Sequence, residues 1–118
     1  MKRILIFPLG IILILGGAMH FIRPEVYNPF IPDSFPKLAV NYATGVVELL
    51  LGIGLFTPRY RKLAATGVFL LMIAFLPLHV IDAFREHPAI GSKTLAYIRL
   101  PLQFVLIYWP WYIRKHSK

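Results

Sequence analysis

The chain has 118 residues, 58% of them hydrophobic and 15% charged, with a mean hydropathy of +0.66. Soluble domains carry about a quarter charged residues, so this composition argues against a water-soluble globule, and its hydrophobicity excludes disorder. The lack of cysteine excludes disulfides, thiolate metal sites, iron–sulfur clusters and dithiol chemistry, and the net charge of +8 falls between long apolar runs, where it reads as orientation and attraction to anionic lipid rather than nucleic-acid binding.

A bilayer core takes about 20 helical residues, and four runs of that length follow one another. The first, Ile4 to Ile22, has His20 as its only ionisable group. It imitates a signal peptide, with Lys2-Arg3 before it and Gly16-Gly17-Ala18 near its end. It outlasts a typical signal-peptide core, so it is expected to be retained as a span. The connection that follows places Pro24, Pro29, Pro32 and Pro36 among Tyr27, Phe30, Ile31 and Phe35. Proline blocks a helix and aromatics suit the headgroup region. Two readings stay open: a stiff flap over the mouth of a bundle, or a solvated loop dipping its aromatics into lipid.

The second run, Leu38 to Phe56, contains Asn41 and Glu48. Thr57-Pro58-Arg59-Tyr60 then turns the chain tightly into the third run, Leu63 to Ile81, which holds His79. The fourth, Leu95 to Ile113, holds Arg99 and Gln103 and closes on Tyr108, Trp109, Trp111 and Tyr112, an aromatic anchor. Helical periods fit these runs, and none shows the strict alternation of a barrel strand. The expectation is one all-α domain over residues 1–118, an integral membrane four-helix bundle with helices at about 4–22, 38–56, 63–81 and 95–113.

Basic residues alternate between sides. Lys2, Arg3, Arg59, Arg61, Lys62, Arg114, Lys115 and Lys118 fall on one side; Arg23, Lys37, Arg85 and Lys93 fall on the other, offset by Glu25, Asp33, Asp82 and Glu86. The positive-inside rule then puts both termini in the cytoplasm. In that frame seven polar groups from four spans share the outer half: His20, Asn41, Glu48, His79, Asp82, Arg99 and Gln103. Polar groups are costly in a membrane and usually mark a site. Asn41, Gly45, Glu48 and Gly52 lie on one helical stripe, whose glycines let another helix approach closely. Pro77 and Pro101 free the carbonyls of Ile73 and Tyr97 for polar partners.

These seven residues are the candidates for binding a ligand or handling a proton. Each also has a plainer reading: Glu48 with Arg99 as a structural ion pair, His79 with Asp82 as a pair at a helix end, His20 as a packing histidine, Gln103 as interhelical glue. Glu48 is expected to be protonatable, within a polar chain toward His79 or Arg99. No metal is expected, since His20 and His79 sit on different helices without a helical ligand motif. Haem would need the two histidines to face each other, and no catalytic triad or phosphate loop is present.

Gly17-Ala18-Met19-His20-Phe21, Pro24, Tyr27, Ile31-Pro32, Phe35-Pro36, Thr44-Gly45-Val46-Val47-Glu48-Leu49-Leu50-Leu51-Gly52 and Arg99-Leu100-Pro101-Leu102-Gln103 together resemble the DoxX-like family of small bacterial four-helix membrane proteins. His20 and Glu48 match its motif positions, and Arg99 and Gln103 match less closely. The resemblance implies a multi-pass protein of the bacterial inner membrane, associated with redox work such as that of thiosulfate:quinone oxidoreductase. Direct thiol exchange is out of reach of a chain without cysteine.

The resulting functional expectation is a redox-associated subunit that binds a quinone or another lipophilic small molecule in the outer-half pocket, beside a redox or other membrane protein partner. Whether it is itself an enzyme stays open. The alternatives are a non-enzymatic assembly or accessory protein, using its glycine faces against another subunit, and a proton-coupled small-molecule transporter, which the strong charge bias disfavours.

Overall fold

Prolines and charges set where the helices begin and end. The computed structural model describes residues 3–118; Lys2, counted above with the basic N-terminal flank, lies outside the described residues. Four α-helices carry the fold: α1 (Phe7–Ile22), α2 (Lys37–Phe56), α3 (Arg61–Ala83) and α4 (Lys93–Lys115). There is no strand among the described residues. The helix α1 starts three residues later than the apolar run. Arg3–Leu5 forms a separate 3-10 turn, and Pro8 occupies the first turn of the α-helix, where its missing N–H costs nothing. The helices α3 and α4 outrun their apolar stretches at both ends, because Arg61, Lys62, Asp82, Lys93, Arg114 and Lys115 continue the helical backbone. Ser92 caps α4, its hydroxyl accepting from the Leu95 amide at 3.1 Å.

The helices pair as two antiparallel hairpins. In the first, glycines set the spacing of α1 and α2. A Cβ on Gly17 would lie 2.9 Å from the Gly45 carbonyl oxygen, and one on Gly52 would lie 3.1 Å from that of Gly10. Seven residues up one helix match seven down the other, so the Gly45–Gly52 stripe is the seam with α1. The helix that approaches it is in this chain. In the second hairpin, Gln103 of α4 donates to the Met72 carbonyl of α3 at 2.6 Å. Further along, Arg114 bonds Thr66 and Trp111 packs on Phe69. Gln103 thus serves the carbonyl beside the one that Pro77 frees.

The α2–α3 turn joins the hairpins, with Gly54 against Ala64 and Gly67 against Leu51. The indole of Trp109 on α4 donates to the Leu5 carbonyl, closing the bundle at the end that holds both described termini. The densest apolar core lies at that end: Ile6, Leu9, Leu13, Leu55, Ala65, Val68 and Ile113 are buried together. The exterior is apolar as well, with Ile4, Leu15, Ile22, Leu50, Leu63, Leu70, Phe84 and Val105 among the exposed side chains. Among the described residues, three helices are long and apolar enough to cross a membrane: Arg3–Ile22, Lys37–Phe56 and Arg61–Ala83.

Candidate functional site

Toward the other end, the core opens into a cavity of about 370 Å³ between the two hairpins, within the usual range for small-molecule sites. Its walls are mostly apolar: Leu9 and Leu13 of α1, Val40 of α2, Phe75 of α3 and Leu106 of α4. Six residues bring polar atoms to it: His20, Tyr27, Thr44, Glu48, His79 and Arg99. The proline-rich connection covers it. Tyr27, Phe30 and Ile31 line the cavity, which is the flap of the two readings left open by the sequence.

The flap is held at several points. Lys37 donates to the carbonyls of Asn28 and Ile31 at 3.0 and 2.8 Å, Asn41 donates to the Asn28 side chain at 2.9 Å, and Arg85 reaches across from the end of α3 to the Pro29 carbonyl at 2.8 Å. Two short 3-10 turns, Pro24–Val26 and Asn28–Phe30, supply its backbone shape. The Tyr27 ring stacks on His20 with centroids 3.7 Å apart, and its hydroxyl donates to the Gly16 carbonyl at 3.2 Å. Burial pushes the Tyr27 phenol above its ordinary range, and the Glu48 carboxylate adds to the shift, so Tyr27 acts as a donor and not as a base.

His20 and Glu48 meet across the α1–α2 seam. Nε2 of His20 lies 3.1 Å from Oε2 of Glu48, and the two residues are only 6% and 8% exposed. The carboxylate lies beside Gly16, where a Cβ would stand in ordinary contact, 3.6 Å from its nearer oxygen. Asn41 fixes the histidine from behind. Its amide nitrogen faces three acceptors, the Asn28 side chain and the carbonyls of Lys37 and Pro24. Its oxygen therefore faces His20 Nδ1, at 2.8 Å, and the proton on that side belongs to the ring. Two facing lone pairs 3.1 Å apart would repel, which favours one proton on the pair, either as imidazolium with carboxylate or as imidazole with carboxylic acid. The contact is off the line of an aligned hydrogen bond, and Oε2 has no aligned donor. The pair can hold one proton and offer or take it at the cavity wall.

Glu48 was expected to look toward His79 or Arg99; its close partner is His20. Arg99 lines the same cavity, yet it makes no hydrogen bond or ion pair among the described residues, and its buried Nη1 is unpartnered. His79 lines the cavity too, with its ring tilted against Phe30. Asn41 lies behind His20, outside the lining. Asp82 stands apart: its carboxylate accepts from the Ala89 and Ile90 amides and lies 3.6 Å from Arg85, so it organises the α3–α4 loop rather than pairing with His79. Gln103 also stands apart as the clamp on Met72, with its Oε1 buried and unpartnered.

Sequence reasoning named Tyr27 and Phe30 only as part of the flap, and missed Thr44 as a lining residue. Thr44 had a usable signal, lying one turn before Glu48 on the same helix. Among the described residues no group of three His, Cys, Asp or Glu side chains converges as a metal site would require.

No curated protein and no solved structure matches the chain. One family model does, over residues 9–114, and it carries no assigned activity and no link to the DoxX-like proteins. Its span takes in nearly all of the four helices and every polar residue of the cavity, and on that match the chain belongs to the family described as Domain of unknown function (DUF8561).

Proposed function

We propose that this chain is a four-span membrane protein that binds a lipophilic small molecule, quinone-like in its hydrogen-bonding needs, and serves as a redox-associated subunit. The observation that carries the reading is the cavity: apolar walls, one proton-holding pair and one unpartnered guanidinium under a latched flap. A quinone needs donors at its carbonyls and a group that exchanges protons. His79 and Arg99 fit the first need, and the His20–Glu48 pair fits the second. At about 370 Å³ the cavity suits a ring headgroup, with a longer tail leaving between helices.

The alternating basic connections favour both termini in the cytoplasm, and the DoxX-like resemblance favours the bacterial inner membrane and a redox setting. A chain without cysteine does no direct thiol exchange; in this reading a partner membrane protein carries the electrons, and binding and proton holding fall to this one. The accessory-protein reading draws less support, because Gly10, Gly17, Gly45 and Gly52 already face one another inside the bundle.

The test is solvent extraction of protein purified in mild detergent, followed by mass spectrometry. A stoichiometric lipophile bearing ring carbonyls, lost in Thr44→Trp, is the expected result. A protein that is empty in both forms and co-purifies with another subunit would replace this reading with the accessory one.

A further inference from the structure

We propose that the cavity selects a lipophilic monoanion, an amphiphile whose single oxyanion sits on Arg99 and whose apolar body lies along Leu9, Leu13, Phe75 and Leu106. The inference rests on the binding role above and adds the charge class of the ligand. Its basis is a count of the charges around the cavity. With one proton on the pair, as the 3.1 Å contact favours, His20 and Glu48 are neutral together in either arrangement. Asp82 is occupied by the Ala89 and Ile90 amides and by Arg85. His79 packs against Phe30 and makes no hydrogen bond or ion pair with a carboxylate among the described residues. Arg99 is then an uncompensated cation against an apolar chamber, with a buried Nη1 that nothing satisfies.

Arg99 is half-buried, and an Nη1 taken out of solvent without an acceptor is costly, a cost that an anion seated on the guanidinium would remove. Its planar fork matches an oxyanion with two acceptor atoms. Because Arg99 is alone, a dianionic headgroup would bring a second charge with no partner, which favours a carboxylate or an ionised ring hydroxyl over a phosphate monoester. The fatty-acid carboxylate and the ionised hydroxyquinone share this chemistry and differ in the body behind it.

Native mass spectrometry of the detergent-solubilised chain, titrated with matched pairs, tests this. One pair is dodecanoate against dodecanol. The other is an alkyl-2-hydroxynaphthoquinone, ionised at neutral pH, against its parent lacking the hydroxyl. The expected result is a one-to-one complex that favours the anion by about tenfold or more in at least one pair, equivalent to ~1.4 kcal/mol. The pair showing the larger preference identifies the body. Arg99→Gln should abolish the preference while neutral compounds still bind, and Arg99→Lys should keep much of it, which separates charge from folding. Equal binding of anion and neutral partner, or a preference that survives Arg99→Gln, overturns the monoanion. Failure of all four compounds to bind overturns the binding role itself.

Discussion

The side-chain oxygen of Asn41 on α2 lies 2.8 Å from Nδ1 of His20 on α1, at a position where Asn41 is fully out of solvent. Three acceptors around the Asn41 nitrogen leave it no second orientation. A residue outside the cavity thus decides which histidine nitrogen carries a proton inside it, and so what Glu48 meets. The same amide ties the flap to the helix pair through Asn28.

Replacing Asn41 with leucine should release that control. It leaves the His20 Nδ1–H and the Asn28 side chain without a partner, a loss of about 1–3 kcal/mol for buried polar groups. The thermal midpoint in detergent should fall accordingly. Nitrogen shifts of labelled histidine should report Nδ1–H in the parent protein. In Asn41→Leu the ring should move toward Nε2–H, facing Glu48. An unchanged tautomer would show that Asn41 only packs.

Coupling between His20 and Glu48 should exceed that between Arg99 and Glu48. In a double-mutant cycle on thermal stability with Glu48→Gln and His20→Phe, contacting residues give interaction energies of about 0.5–3 kcal/mol. Glu48→Gln with Arg99→Gln should stay below about 0.5 kcal/mol, the limit for independent sites. Glu48→Gln alone should insert normally, since a glutamine amide can face Nε2 as a donor and keeps the pair neutral with an uncharged imidazole. Rescue of a damaged Glu48→Gln by Arg99→Gln would instead reveal an ion pair between those two.

Much of this was written in local patterns. Length and apolarity mark where the helices run, because a membrane-length helix advertises itself residue by residue. The Asn41–Gly45–Glu48–Gly52 stripe announced a close helix contact, since small residues on one face have few other uses. The identity of the partner was not legible. Glu48 has three cationic or ionisable neighbours at similar depth, and choosing His20 over Arg99 depends on the rotation of α1 about its axis, which Gly10 and Gly17 set through packing. Asp82 misled for a related reason: a carboxylate at a helix end reads the same whether it faces a cavity or closes a loop. The two roles divide only once the Ala89 and Ile90 amides fold back onto it.

Adjacent glycines on α1 should respond in opposite ways to the same methyl. A Cβ on Gly17 meets the backbone of α2, 2.9 Å from the Gly45 oxygen and 3.0 Å from the Leu49 nitrogen. Backbone cannot step aside cheaply, so Gly17→Ala should cost about 1–3 kcal/mol, the usual penalty for overpacking. At Gly16 the nearest atom is a Glu48 carboxylate oxygen at 3.6 Å, ordinary contact. Gly16→Ala should be neutral or stabilising, because alanine gains up to about 1 kcal/mol over glycine within a helix. Comparing unfolding midpoints of the two variants checks this, and equal losses would contradict the placement of the seam.

The path of α4 decides the topology, and it is testable with two single cysteines in a chain that has none. Lys93, Arg99, Arg114 and Lys115 make α4 less apolar than the other helices. Its 23 residues nevertheless reach about 34 Å at 1.5 Å per residue, enough to cross. Its charges are sorted: Lys93, Arg114 and Lys115 lie at the ends, where long side chains reach the headgroups, and Arg99 faces the cavity. Leu95, Ile98, Leu102 and Val105 are exposed on its outer surface, which suits lipid and not water. It also runs antiparallel to α3 through the Gln103–Met72 and Arg114–Thr66 bonds, so a membrane that holds α3 upright holds α4 beside it. With four spans, Ser34→Cys in the flap should react with an impermeant maleimide on intact cells, and Ser117→Cys only after permeabilisation. If α4 instead lay along the surface, three spans would put residue 117 on the same side as residue 34, both would label from outside, and the cavity would lose its fourth wall.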